Sequence, residues 1–174
     1  LNSDLSNSHG SDSASYVPYY DIESDYGWSH LYHLIDTLNT VPEEIEKVLN
    51  VDRTLWMHAL NYSMINFDSY IGYGQNYYLY LDQASQFNPI LWDLNMSFGS
   101  FRLTDASQLF YGGFDISQAQ NMDPLVHHNF ISVAPRPLMT ILFESERNRK
   151  MYLAHIRTIM DENFVNQEYS TRAE

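Results

Sequence analysis

The chain has 174 residues and a hydrophobic content of 44%, which is enough for one packed domain and argues against intrinsic disorder. Its 22 acidic and 9 basic residues give a formal net charge of -13. This balance argues against nucleic acid as a partner, because neutralising phosphates requires clustered Lys and Arg. No cysteine is present, so disulfides and cysteine-ligated metals are excluded, and no apolar run approaches the roughly 20 residues that cross a bilayer.

The start of the chain has the composition of a flexible arm. Residues 1–15 contain six serines and almost no large apolar side chain. We therefore predict a linker or arm over residues 1–27, a folded domain over residues 28–168 and a tail over residues 169–174. The chain opens at Leu1 without a methionine and shows no signal peptide, so we expect it to be a fragment or a processed product with any targeting signal upstream.

Three helices are predicted in the first part of the domain. Apolar residues recur every three or four positions over residues 28–39, which indicates an amphipathic helix. A short helix follows, for which Thr40 and Glu43 form a predicted capping box with Pro42 in the first turn. The third helix, over residues 53–67, is capped by residues 50–52 and is apolar on nearly all sides, which predicts a central position in the core.

Two acidic residues follow elements of predicted structure. Asp68 comes directly after the third helix, and Asp93 comes after the second of two strand-like runs, residues 77–81 and 89–92, which together predict a β-hairpin. Gly72 and Gly74 predict a tight turn between the helix and the hairpin. A last helical region is predicted over residues 138–164, with a break near residues 144–148.

This pair of acids is compatible with more than one chemistry. One carboxylate can orient or deprotonate a hydroxyl while the other holds magnesium on the phosphates of a nucleotide. Two carboxylates can equally serve as acid and base in glycoside hydrolysis. Asn76 can offer an amide oxygen to a hard cation, although turn asparagines and aspartates are also common without any such role. The histidine pairs, His30 with His33 and His127 with His128, lack a third ligand at a suitable spacing, so no histidine metal site is predicted.

Two runs of sequence resemble a known family. Residues 66–82 read NFDSYIGYGQNYYLYLD, and residues 90–101 read ILWDLNMSFGSF. Together they resemble the central signature of the CotH family, the spore-coat-type atypical protein kinases. The segments 45–65 and 136–160 are similar to the helix before this signature and to the closing helices. The resemblance covers most of residues 28–164, with little contribution from residues 104–130.

The resemblance implies an α+β fold, the mainly helical C-terminal lobe of an atypical protein-kinase-like fold with a short β-hairpin at the metal site. It implies phosphoryl transfer from ATP to a protein hydroxyl, with Asp68 as the catalytic-loop aspartate and Asp93 as the magnesium-binding aspartate. Asn76 would be a second metal or phosphate contact. ATP and Mg²⁺ are then the expected cofactors, and a nucleotide and a surface or coat protein are the expected partners. Gln75 departs from the pattern, because many members have a histidine there.

The resemblance also implies parts outside this chain. The family's nucleotide-binding N-terminal lobe, with its phosphate-pairing lysine, would precede Leu1, and neither Lys47 nor Lys150 lies on a suitable strand. We therefore expect the full-length protein to be the enzyme and this piece alone to be inactive. The alternative is a non-catalytic surface or coat-assembly module with a degenerate kinase fold. An extracytoplasmic or cell-surface location is expected because relatives are often secreted or coat-associated.

Overall fold

The computed structural model describes residues 3–100, 116–126, 135–165 and 171. Within these residues the helices, in chain order, are α1 (Trp28–Thr40), α2 (Val51–Ser63), α3 (Tyr70–Tyr73), α4 (Ile116–Gln120), α5 (Pro137–Thr140) and α6 (Glu146–Met160). Shorter 3-10 turns occupy Ser13–Tyr16, Pro42–Lys47 and Leu142–Glu144. A π-helical turn, Asp161–Val165, follows α6. The described residues are thus rich in helix, and three of the helices have 13 or more residues.

The strands β1 (Tyr77–Leu81) and β2 (Phe87–Leu91) form a two-stranded antiparallel sheet. Its register pairs Tyr77 with Leu91 and Leu81 with Phe87. The predicted hairpin is confirmed, and the small sheet beside several helices agrees with the predicted α+β class. The sheet is attached to the helical part at its turn end, where Phe87 exchanges backbone hydrogen bonds with Val48 and Asn50.

Helix α2 is central, as its nearly all-round apolar sequence predicted. It packs along α6 and also contacts β2 and α3. Leu55 and Ala59 are fully buried in the core. Asn50 caps the helix, because its Oδ1 accepts a hydrogen bond from the backbone N–H of Arg53 at 3.0 Å. Capping by residues 50–52 is therefore confirmed.

Helix α2 ends at Ser63, four residues before the predicted end at Phe67. Ile65 has a φ of 50°, a left-handed conformation that an α-helix cannot continue through. The apolar pattern runs on to Phe67 because the residues of this turn still pack on the core. Asp68 therefore lies in an irregular segment between α2 and α3, and not on the end of a helix.

The predicted capping box at Thr40 is wrong. Thr40 is the last residue of α1, and its Oγ1 donates to the backbone carbonyl of Asp36 at 2.7 Å. An N-cap residue needs an extended backbone, and a residue that ends the preceding helix does not supply it. Pro42 does occupy the first turn of the following 3-10 segment, as predicted.

The start of the chain packs against the domain. Leu5 is fully buried and Tyr16 is 1% exposed. The carbonyl of Asp4 accepts from the Tyr70 hydroxyl at 2.7 Å, and that of Leu5 accepts from the Asn39 side-chain amide at 2.8 Å. The serine-rich composition predicted an arm, and it did not reveal this packing because the two hydrogen bonds use backbone carbonyls and their partners, Tyr70 and Asn39, lie far along the chain.

The last helical region is broken where the sequence predicted it. Ser145 caps α6 through its hydroxyl, which accepts from the backbone N–H of Asn148 at 3.4 Å. Tyr152 and Ile159 bury the inner face of α6 against the core. In the part of the chain that the structure describes, no helix combines the length and the apolar character that crossing a membrane requires.

Candidate functional site

The segment that carries Asp68 is shaped by two glycines. A Cβ atom on Gly72 would lie 2.2 Å from the backbone carbonyl oxygen of Phe67, so the short helix α3 folds back onto the residue before Asp68 at a distance that only glycine permits. Gly74 has a φ of +62° and ends α3 in a left-handed conformation. The predicted glycine turn is therefore present, and it returns the chain toward Asp68.

Two side chains beyond this turn contact Asp68. The amide of Gln75 donates to Asp68 Oδ1 at 2.5 Å, and the amide of Asn76 donates to the Asp68 backbone carbonyl at 2.7 Å. Asn76 has a φ of 57°, a strained conformation that asparagine tolerates better than most residues. The structure thus brings Asn76 and Asp68 together, as a shared site requires. Because this bond uses the amide nitrogen of Asn76, its Oδ1 atom can still accept a hydrogen bond.

Asp93 lies two residues after β2 and is exposed. Its backbone is left-handed, with a φ of 52°, and its Oδ1 accepts from the backbone N–H of Asn95 at 3.3 Å. The register of the sheet places the start of β1 beside the end of β2, through the pairing of Tyr77 with Leu91. Asn76 and Asp93 therefore flank the same end of the hairpin.

The segment after Asp93 is attached to the turn before Asp68. Asn66 is fully buried, and its side-chain amide donates to the backbone carbonyl of Asp93 at 3.4 Å and to Asn61 Oδ1 at 3.1 Å. The backbone N–H of Phe98 donates to the carbonyl of Met64 at 2.6 Å. These bonds make the loops that carry Asp68 and Asp93 neighbours, and they stabilise both loops together.

The outer face of the hairpin beside Asp93 is aromatic. Tyr78, Tyr80 and Trp92 are 44%, 58% and 55% exposed. The rings of Tyr78 and Trp92 meet edge to face with centroids 5.0 Å apart. Alternation along β1 explains this face, because Tyr77 and Leu79 pack inward against the core.

Two residues that support the site were not predicted from the sequence. Asn66 is a lone amide within an apolar run, and that contrast is a signal that could have identified it. Arg136 is 2% exposed, and its guanidinium donates to the carbonyls of Ile71 and Gly72 at 3.2 Å and 2.6 Å. Burial lowers the pKa of the Arg136 guanidinium, while the negative charge of Asp4 favours its protonated form.

The donor atoms of the site suit magnesium. Asp93 offers a carboxylate and Asn76 an amide oxygen, which are hard ligands of the kind that Mg²⁺ takes together with phosphate oxygens and water. Among the residues that the structure describes, no three or more His, Asp or Glu side chains form a metal-binding group. His33 is exposed on α1, and His127 and His128 lie outside the described residues.

Comparison with known proteins gives one match. The family model described as CotH kinase protein matches residues 1–174, the whole chain. No curated protein and no solved structure matches.

Proposed function

The chain belongs to the CotH kinase protein family, and we propose that its site transfers a phosphoryl group from ATP to a protein hydroxyl. The observation that carries the proposal is the contact of Gln75 and Asn76 with Asp68, in a loop hydrogen-bonded to the segment of Asp93. Phosphoryl transfer uses one acid that faces the acceptor hydroxyl and separate ligands that face the cation. Asp68 can take the first role, and Asp93 and Asn76 can take the second.

In this proposal Asp68 orients the acceptor hydroxyl and accepts its proton. Gln75 occupies Asp68 Oδ1, so the other carboxylate oxygen, Oδ2, is the one directed to the substrate. Asp93 and the Oδ1 atom of Asn76 would hold Mg²⁺, which would supply neutralisation of the charge that develops on the phosphate oxygens. Most of the rate gain then comes from placement, which the hydrogen bonds of Asn66 and Asn76 provide.

The acceptor and the location belong to the same proposal. We propose a surface or coat protein as the acceptor and an extracytoplasmic or cell-surface location. The family match does not favour the alternative of a non-catalytic binding module.

The decisive experiment separates the two acids. Transfer of labelled phosphate is measured with the full-length protein, and Mn²⁺ binding, followed by water-proton relaxation, is measured as a probe of the Mg²⁺ site. Asp93→Asn should weaken Mn²⁺ binding and abolish transfer, whereas Asp68→Asn should abolish transfer and leave Mn²⁺ bound. Asp21→Asn, an exposed acid before α1, is the matched control. Full transfer activity in Asp93→Asn would refute the metal role.

A further inference from the structure

Arg136 joins two parts of the chain that are 64 residues apart. It directly precedes α5, and its side chain reaches the turn between Asp68 and Asn76. Nε donates to the carbonyl of Ile71 at 3.2 Å, and Nη2 donates to that of Gly72 at 2.6 Å. Nη1 donates to the carbonyl of Pro135 at 2.8 Å. Every nitrogen of the buried guanidinium therefore has a backbone acceptor.

These bonds supply donors to backbone carbonyls of α3 that the short helix cannot pair by itself. The last carbonyls of a helix have no partner within the helix, and α3, with four residues, has few internal bonds. Arginine presents its donors in a rigid planar fork, so two carbonyls that bind one guanidinium are held at a fixed spacing. The orientation of the turn is thereby set by Arg136.

The same turn is enclosed from a second side. A Cβ atom on Gly74 would lie 3.3 Å from the Cβ of Asp4 and 3.6 Å from the Cζ of Arg136. Gln75 and Asn76 follow immediately and make the two contacts with Asp68. A shift of the turn would consequently move both side chains that hold Asp68.

We propose that Arg136 is a positioning residue of the phosphoryl-transfer site, which fixes the turn over residues 70–74 so that Gln75 and Asn76 hold Asp68 in place. This inference rests on the function proposed above. Arg136 touches no substrate in this arrangement and acts only through the turn. Lysine cannot replace it, because an ammonium on a flexible stem cannot bind the two carbonyls with one planar group.

The test compares Arg136→Lys and Arg136→Gln with a matched control, Arg149→Lys. Arg149 also donates from its guanidinium to backbone carbonyls, those of Phe143 and Glu144, near the start of α6. Amide hydrogen exchange is measured over residues 68–76, with α1 and α6 as internal references. Mn²⁺ affinity and the separate values of kcat and KM for phosphate transfer are measured on the same full-length proteins.

Both Arg136 substitutions should accelerate exchange over residues 68–76 while α1 and α6 keep wild-type exchange. Mn²⁺ affinity and kcat should fall about 10- to 100-fold, the range for losing a supporting contact, with a smaller change in KM. Arg149→Lys should leave exchange over residues 68–76, Mn²⁺ affinity, kcat and KM unchanged. Wild-type exchange over residues 68–76, or faster exchange spread equally over α1 and α6, overturns the inference. If the wild type neither binds Mn²⁺ nor transfers phosphate, the proposed function fails, and the exchange data still decide the role of Arg136.

Discussion

The side-chain amide of Gln75 donates to Oδ1 of Asp68 at 2.5 Å, so this glutamine is the direct neighbour of the proposed catalytic carboxylate. The family resemblance of the sequence implies a histidine at this position. Glutamine and histidine can both donate a hydrogen bond from a nitrogen, so either side chain could make this contact. The departure of Gln75 from the pattern is therefore compatible with a working site.

Replacing Gln75 by glutamate should slow phosphate transfer. The new carboxylate has the same shape, but it cannot donate to Asp68 Oδ1, and it repels the charge of Asp68, so the carboxylate of Asp68 loses its support. We expect kcat to fall about tenfold, the lower end of the range for losing a supporting contact. Gln75→His keeps a nitrogen donor and should leave kcat near that of the wild type. Gln83→Glu, at the exposed hairpin turn, is the control and should leave kcat unchanged.

Replacing Asn66 by alanine should weaken metal binding without touching the proposed ligands. The variant removes the donor that holds the Asp93 carbonyl at 3.4 Å, so the left-handed backbone of Asp93 loses a support. Mn²⁺ affinity should fall about tenfold, as expected when a residue that supports a metal ligand is lost. Asn121→Ala removes a similar amide-to-carbonyl bond at the exposed end of α4 and should leave Mn²⁺ affinity unchanged. Equal affinities in the two variants would contradict this role for Asn66.

Local patterns predicted the elements of the site, because each depends on residues close in sequence. The alternation over residues 77–81 is a property of one strand, and the glycines at 72 and 74 act within one turn. The nearness of Asn76 and Asp93 is seen in the structure, where the pairing of Tyr77 with Leu91 places the start of β1 beside the end of β2.

Contacts between distant segments could not be predicted in the same way. The bond from Arg136 to Gly72 spans 64 residues, and no periodicity relates the two positions. The end of α2 was misplaced for a related reason, since Ile65 and Phe67 are apolar like helix residues although the backbone has already turned. The buried position of Leu5 likewise depends on partners such as Tyr20 and Asn39, which the serine-rich start of the chain does not indicate.

Replacing Gly72 by alanine should strongly destabilise the fold. The new Cβ atom would lie 2.2 Å from the Phe67 carbonyl oxygen, and backbone atoms on both sides must move to relieve that overlap. We expect a loss of about 3 kcal/mol or more in the free energy of unfolding, measured by urea denaturation. Gly10→Ala is the control, because its φ of +108° is strained for alanine but the nearest atom is 3.9 Å away. That variant should cost about 1 kcal/mol, and a similar loss in both variants would show that the overlap is relieved easily.

His58 is a buried titratable group in the centre of the core. It is fully buried in α2, where its Nε2 lies 3.2 Å from the backbone carbonyl of Leu138, and its ring packs near Tyr70 and Phe143. If Nε2 donates to that carbonyl, Nδ1 is the unprotonated nitrogen, and it has no hydrogen-bond partner among the residues that the structure describes. Desolvation lowers the pKa of His58 from 6.5 to about 4, although its bond to Leu138 acts in the opposite direction.

The stability of the protein should consequently fall as the pH drops from about 6.5 to about 4. In this window the unfolded chain binds a proton at His58 and the folded chain does not, so protonation favours unfolding. At about 1.4 kcal/mol per pH unit, this residue accounts for a loss of about 3 kcal/mol. His58→Gln keeps a side-chain donor for the Leu138 carbonyl but cannot titrate, so urea unfolding of this variant should show a correspondingly weaker dependence on pH. His33→Gln, on the exposed side of α1, should retain the wild-type dependence. If His58→Gln loses stability with falling pH as steeply as the wild type does, other groups cause the acid sensitivity.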